Sequence, residues 1–334
     1  MIDNTPARSP PTPLPLPLLR REGPRSPRPW IARADLAFAA ELPVLWAMAL
    51  GLPERRWARA CRRLESAKAA LRFYDPVPVA RTAARVLGAR DPSFDARAFA
   101  LESAAGRSEH HLQILREVAP GGWRAPLALD GKEHLDTALA EGRGAVLWVA
   151  HFCFNALATK KALAEAGHRA WHVSRPEHGF SKSRIGIATV NRIRVRAEIA
   201  HLAGRIVIDR ERPNAASLAA QRVLETNGIV SITAGAWEGR RIARIEVLGG
   251  TLDLAVGAPR LARSTGAALL PVFTVRGDDG HLRVIVEPRI PVAHEGDADE
   301  ALRAATHAFG ARLEVYVFRY PRQWRDWKNL AFAD

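Results

Sequence analysis

The stretch from Gly142 to Gly167 reads GRGAVLWVAHFCFNALATKKALAEAG and says most about the fold. Its unbroken apolar run, Ala145 to Ala150, predicts a strand covered on both faces. The run from Ala156 to Ala166 predicts a helix that stops at Gly167. His151 lies between them, at the carboxyl end of the strand, where open α/β sheets place their functional groups. The adjacent helix N-terminus favours a neutral ring that can accept a proton, and the alternative is an inert histidine that ends the strand.

Short apolar segments alternate with helical ones on either side of this stretch. The alternation predicts an α/β fold with a mainly parallel central sheet flanked by helices. The predicted strands are Ala145–Ala150, Ala170–Ser174, Arg205–Ile208, Ile229–Thr233, Ala268–Val275 and Leu282–Val286. The predicted helices that follow or separate them include Arg184–Ala203, Ala215–Thr226, Gly257–Thr265 and Glu300–Phe318.

The chain ahead of the sheet divides into two parts. Residues 1–29 are rich in Pro, Arg and Ser, which predicts a disordered or polyproline arm and no secretory signal. Residues 30–122 carry apolar residues at helical spacing and end at a Pro-Gly-Gly cluster, which predicts a helical N-terminal region. The α/β domain then spans residues 123–330.

The apolar stretch from Leu36 to Leu52 bears on membrane contact. Glu41 and Pro43 interrupt it, so it is too short and broken to predict a transmembrane helix. Trp46 and the arginines that follow suit a helix lying at a membrane interface. An ordinary core helix fits equally well at this stage.

The charge balance favours an acidic partner. With 49 Lys and Arg against 35 Asp and Glu, the net charge is +14, which suits anionic lipid or an acidic carrier protein. There is no long basic run and no zinc-finger or RNA-binding signature, so nucleic acid is not an expected partner. Cys61 and Cys153 lie far apart without metal-ligand spacing, which predicts free thiols, a reducing compartment and no metal.

Polar residues follow several of the predicted strands. Arg175, Asp209, Arg210 and the segment from Gly235 to Arg241 share one edge if the sheet is parallel. A neutral histidine can deprotonate a hydroxyl there, while guanidinium groups hold phosphates or an oxyanion. This set favours an enzyme. The alternative role for Arg210 is an ion pair with Asp209 or Glu211.

Five stretches in order carry a resemblance to a known family. They are GRGAVLWVAHF (142–152), GRIVIDR (204–210), VSITAGAWEGRR (230–241), LARSTGAALLPVF (261–273) and RYPRQWRDW (319–327). Together they resemble the lysophospholipid acyltransferase superfamily, closest to the bacterial lipid A lauroyl/myristoyl acyltransferase branch. The likeness spans residues 129–330, about three fifths of the chain.

The resemblance implies an acyl transfer in which His151 is the general base. The fatty acyl donor would be a thioester of acyl carrier protein or CoA, without another cofactor, and the acceptor a lipid or glycolipid hydroxyl or amine. Arg210 and Arg175 would bind phosphate, and Phe152, Asn155 and Gly235 are further expected substrate-binding positions. The expected location is cytoplasmic, peripheral at the inner face of the cytoplasmic membrane.

Two acidic landmarks of the family are missing. The family motif places an acid five residues after the histidine, where this chain has Ala156, and the acid before Gly235 is replaced by Ala234. A histidine without an orienting acid loses much of its rate. The expected substitutes are Asp209, Glu238 and Glu177, while Asn155 would orient the ring without adding charge.

These departures leave two further functions open. The alanines favour a catalytically impaired binding or scaffold protein at the membrane or on an acyl carrier. Retention of His151 and of GRIVIDR favours an enzyme, including a hydrolase that uses water against acyl thioesters. A carboxylate within hydrogen-bond reach of His151 would favour either enzyme over the scaffold.

Overall fold

The computed structural model of the chain describes residues 18–20, 29–212, 214–236 and 239–332. Its strands are β1 Leu19–Arg20, β2 Leu127–Asp130, β3 Ala145–Val149, β4 Trp171–Ser174, β5 Gly204–Val207, β6 Ile229–Thr233, β7 Arg241–Val247, β8 Gly250–Ala255, β9 Ala268–Arg276 and β10 Leu282–Val286. Its α-helices are α1 Arg33–Gly51, α2 Trp57–Ala70, α3 Val77–Ala83, α4 Ala96–Val118, α5 Lys132–Ala140, α6 Asn155–Glu165, α7 Arg184–Ala188, α8 Val190–Ile199, α9 Ala215–Glu225, α10 Gly257–Thr265 and α11 Ala298–Arg319.

A seven-stranded sheet with helices around it forms the centre of the described chain. Its order is β2-β10-β9-β3-β6-β4-β5, and β9, β3, β6, β4 and β5 run parallel to one another. The short turn after β9 forces β10 to run antiparallel to it. The predicted α/β fold with a mainly parallel sheet is therefore confirmed, and β3 lies between β6 and β9 at its centre.

All six predicted strands are present, each within one residue of its predicted ends. The strands β1, β2, β7 and β8 are not among the predicted ones. Strands β7 and β8 form an antiparallel hairpin that joins β1 in a separate three-stranded sheet. Arg244 and Glu246 point outward on β7, which gives this hairpin a half-polar face instead of the continuous apolar run of a central strand.

The single helix predicted over Arg184–Ala203 is wrong. It is divided into α7 and α8 at Thr189, whose backbone leaves the helical region at φ −117° and ψ −88°. The Thr189 hydroxyl donates to the Ile185 carbonyl, a local bond that competes with regular helix geometry.

The helical N-terminal region is confirmed and packs directly on the α/β part. Helix α4 is its centre, with twelve of its 23 residues buried and with α1, α2 and α8 against it. Phe99 joins the core beneath the sheet, and Leu112 packs in one cluster with Leu157 of α6. The predicted boundary at residues 120–122 falls between α4 and β2.

The predicted disordered arm mostly lies outside the described residues. Of residues 1–29, only 18–20 and 29 are described, and Leu19 and Arg20 pair with β7 as a short strand. Cys61 and Cys153 are both free, and both are buried.

Helix α1 contains the apolar stretch from Leu36 to Leu52. Leu45 and Ala49 are buried, whereas Leu36 is 65% exposed. Among the described helices, none combines the length and apolar character needed to cross a membrane.

An exposed apolar surface lies where the start of α1 meets α7. Trp30 is 68% exposed, and Ile31, Leu36 and Ile185 are also exposed. The Ile185 amide donates to the Trp30 carbonyl at 3.2 Å, which holds the two segments together. The Arg184 guanidinium lies 4.8 Å from the centre of the Trp30 ring. We call these four apolar residues the Trp30 patch.

Candidate active site

His151 follows β3 at the centre of the sheet. The Ala150 amide donates to the Val272 carbonyl of β9, and the Ala234 amide beyond β6 donates to Val149, both at 2.8 Å. These bonds hold the strand end between its two neighbours. The side chain of His151 is 19% exposed and lines a cavity at the carboxyl edge of the parallel strands.

The segment after α11 runs beside His151 and is fixed to it by backbone hydrogen bonds. The Cys153 amide donates to the Gln323 carbonyl at 2.8 Å, and the Arg325 amide donates to the His151 carbonyl at 3.0 Å. The Gln323 side chain also bonds the backbone N–H and C=O of Arg276, each at 2.8 Å. Trp324 is completely buried between these contacts. These hydrogen bonds fix the backbone up to Arg325 and thereby set the position of the residue after it, Asp326.

Asp326 is the orienting acid of His151. Its Oδ1 lies 2.9 Å from Nδ1 of the ring and also accepts from Asn329 Nδ2 at 2.8 Å. A carboxylate at Nδ1 favours the tautomer with the proton there, in which Nε2 is the ring atom that can accept a proton. Burial lowers the pKa of His151 below its usual value, and Asp326 offsets part of that shift. Burial therefore favours the neutral form of the ring, which is hydrogen-bonded to an acid.

Two of the three predicted substitute acids, Asp209 and Glu177, do not line the cavity of His151. Asp209 is bonded to Arg212 Nε at 2.8 Å and to the Glu211 amide at 2.9 Å, and it borders a different depression. Glu177 bonds Arg210, and Glu238 lies outside the described residues. Asn155 lines the cavity, but Nδ1 of His151 bonds Asp326. Asp326 belongs to the RYPRQWRDW stretch, but it is not among the predicted site residues. The tryptophans near it, Trp324 and Trp327, were the only sign in the sequence that this segment is held in a fixed position.

Three of the five predicted substrate-binding residues line the cavity, and two do not. Arg175 and Gly235 line the cavity, as Asn155 does. Arg210 forms an ion pair, as its alternative role predicted, but with Glu177 and not with Asp209 or Glu211. Phe152 is fully buried, with its ring perpendicular to that of Phe273, so it packs the core and does not line the cavity.

The cavity is large and its walls are strongly basic. Its volume is about 980 Å³, and among its described lining residues only Asp75 and Asp326 are acidic. The basic lining residues are Lys160, Lys182, Lys328, Arg107, Arg175, Arg194, Arg240, Arg241, Arg260 and Arg325. Walls of one charge sign concentrate ligands of the opposite sign, so the cavity favours an anionic substrate.

A buried ionic network closes one side of the cavity. Glu198 is fully buried and bonds Lys160 Nζ, Arg194 Nε at 2.7 Å and His178 Nε2 at 2.7 Å. Burial lowers the pKa of Lys160 to about 8 and that of His178 to about 4. The ligand atoms of His172, His178 and Glu198 lie within 4.8 Å of one another, as a divalent metal would need. Lys160 and Arg194 already neutralise this carboxylate, however, and their charges would repel such an ion.

No protein-family model matches the chain, and the curated proteins give no match. The geometry of the His151–Asp326 pair and the charge of the cavity therefore carry the functional argument.

Proposed function

We propose that the protein is an acyltransferase that moves a fatty acyl group from a thioester of acyl carrier protein or CoA to a lipid hydroxyl or amine. The observation that carries this proposal is the hydrogen bond between His151 and Asp326 inside a basic cavity. The cavity volume of about 980 Å³ is ample for a substrate that combines an apolar chain with an anionic group.

The mechanism follows from the pair. Nε2 of His151 takes the proton of the acceptor as its oxygen or nitrogen attacks the thioester carbonyl. The tetrahedral intermediate collapses by breaking the carbon–sulfur bond, and the imidazolium returns the proton to the departing thiolate. Asp326 holds the ring in position and stabilises its transient positive charge. A ring with an orienting acid supports an enzyme over a scaffold protein.

The direct test is acyl transfer by the full chain. Acyl carrier protein and CoA thioesters of several chain lengths would be incubated with a membrane-lipid extract, and the lipid products identified by mass spectrometry. We expect a new lipid that is heavier by one acyl group. Free fatty acid without acylated lipid would instead indicate a thioester hydrolase, and intact donor binding without turnover would indicate a scaffold.

We also propose that the Trp30 patch contacts the membrane from which the lipid acceptor is drawn. A tryptophan beside an arginine suits the boundary between headgroups and acyl chains, and Ile31, Leu36 and Ile185 supply apolar surface. Lys182 lines the cavity and lies two residues before Arg184, so the patch is close in sequence to the cavity wall.

Substitution of the patch is expected to weaken membrane binding. Each of Trp30→Ser and Leu36→Ser removes apolar contact worth about 1.5–3 kcal/mol when fully buried. The double variant should bind anionic vesicles at least about tenfold more weakly in a sedimentation assay. Val315→Ser, at an equally exposed position on α11, is the matched control and should bind like wild type. Equal binding by the double variant would rule out this surface as the contact.

A further inference from the structure

Two arginines in the cavity of the His151–Asp326 pair have no anionic partner among the described residues. Arg325 directly precedes Asp326, and its Nε is shielded from solvent without a hydrogen-bond partner. Arg107 on α4 lies with its guanidinium 5.8 Å from the centre of the Tyr74 ring. Both line the cavity of His151, and neither has a hydrogen bond or ion pair from its side chain to any described residue.

Two other partly buried arginines of the chain each have the carboxylate partner that Arg107 and Arg325 lack among the described residues. Arg194 pairs with Glu198 and Arg276 with Glu109, each with a buried carboxylate within 2.7 Å. Burying a guanidinium without such a partner is unfavourable. Burial, together with the charges of Arg194 and Arg107, lowers the pKa of Arg325 to about 10. Asp326, its only acidic neighbour in sequence, is already held by His151 and Asn329.

We propose that Arg107 and Arg325 form a subsite that binds a phosphate group of the substrate next to the base. A guanidinium presents several donors in a planar fork that matches phosphate oxygens, and two such groups balance a dianion. The role of the subsite in catalysis rests on the proposed acyl transfer, but binding of the anion does not. A phosphate bound here lies close to the attacking group. The phosphate bound by the subsite is therefore expected to belong to the acceptor. In the donor, the long pantetheine arm separates the phosphate group from the thioester.

The test is calorimetric titration of the full chain with simple phosphate esters. Glycerol 3-phosphate would be compared with glycerol, and 4′-phosphopantetheine with pantetheine, because the two pairs distinguish an acceptor phosphate from a donor phosphate. We expect one phosphate ester of these pairs to bind, and its dephosphorylated counterpart to bind at least about tenfold more weakly. A chain that binds neither ester, or that binds esters and alcohols equally, overturns the subsite.

Variants connect the binding to the two arginines. Arg325→Gln and Arg107→Gln should each weaken the phosphate ester at least about tenfold. Arg222→Gln changes an exposed arginine of α9 that does not line the cavity and should stay within about twofold, which excludes a general effect of net charge. The melting temperature of Arg325→Gln should equal or exceed that of wild type, because a buried charge without a partner has been removed.

Unchanged affinity in Arg325→Gln, or a lost affinity accompanied by a large fall in melting temperature, would contradict the subsite. The titration does not depend on turnover, so it separates this inference from the proposed function. Acyl transfer without phosphate binding would refute only the subsite. Phosphate binding that depends on Arg325, in a chain without acyl transfer, would refute only the reaction.

Discussion

Replacing His151 by alanine is expected to abolish acyl transfer, and replacing Asp326 by asparagine to lower kcat about 10³- to 10⁴-fold. Asparagine keeps the shape of the side chain but removes the charge that stabilises the imidazolium. It also presents an N–H₂ donor that can select the wrong ring tautomer. The measurement is the rate of acylated-lipid formation at saturating donor, with circular dichroism to show that both variants are folded.

The pH dependence gives a second reading of the same pair. Activity requires neutral His151, so kcat/KM should rise with pH through a pKa below the usual value for histidine. The charge of Asp326 raises that pKa, and Asp326→Asn should therefore move the acidic limb to lower pH. Asp209→Asn alters an acid in a different depression and should retain activity within about twofold. Full activity in Asp326→Asn, or a large loss in Asp209→Asn, would contradict the assignment.

The free energy of unfolding is expected to fall steeply between pH 7 and pH 5. Burial lowers the pKa of His111 to about 3 and that of His178 to about 4, and it also lowers the pKa values of His110 and His172. A histidine that is neutral in the folded chain but titrates near pH 6.5 when unfolded makes the unfolded chain bind more protons. The stability is thus complete above pH 6.5 and is lost as the pH falls toward the folded-state pKa values.

His111 and His178 alone account for a loss of about 4 kcal/mol between pH 7 and pH 5, at about 1.4 kcal/mol per pH unit for each proton. His110 and His172 act in the same direction. Denaturant titrations followed by fluorescence at several pH values measure the slope. His111→Phe, at a ring that contacts Phe38 and Phe180 edge-on, should reduce it, whereas His281→Gln on an exposed turn should not. A stability independent of pH over this range would refute the prediction.

The parts of the fold that local pattern determines were predictable. Short apolar or alternating segments mark the strands of the central sheet, so Ala145–Ala150 and five others were found within a residue of their ends. The hairpin of β7 and β8 carries charges on its outer face and has no such run. Thr189 lies inside an apolar helical pattern, and nothing in that pattern marks the change of its backbone angles that divides α7 from α8.

The candidate site also has one part that local sequence patterns predict and another part that they do not. His151 was predictable because the strand and helix around it are local patterns in the sequence. Its acid was not, because Asp326 reaches the ring through backbone bonds of Gln323 and Arg325, and no local pattern records that register. The ion pair of Arg210 with Glu177 likewise joins residues that lie 33 positions apart in different loops.

The separation of 175 residues between His151 and Asp326 has a consequence for how the protein comes into being. During synthesis the ribosome completes the strand, the histidine and most of the basic lining residues long before it adds the acid. A nascent chain thus lacks the hydrogen bond from His151 to Asp326 until Asp326 has emerged and the tryptophans beside it have docked. A protease cut that releases the stretch after α11 separates the two groups in the same way. Acyl transfer in a cell would then report on finished, intact chains alone.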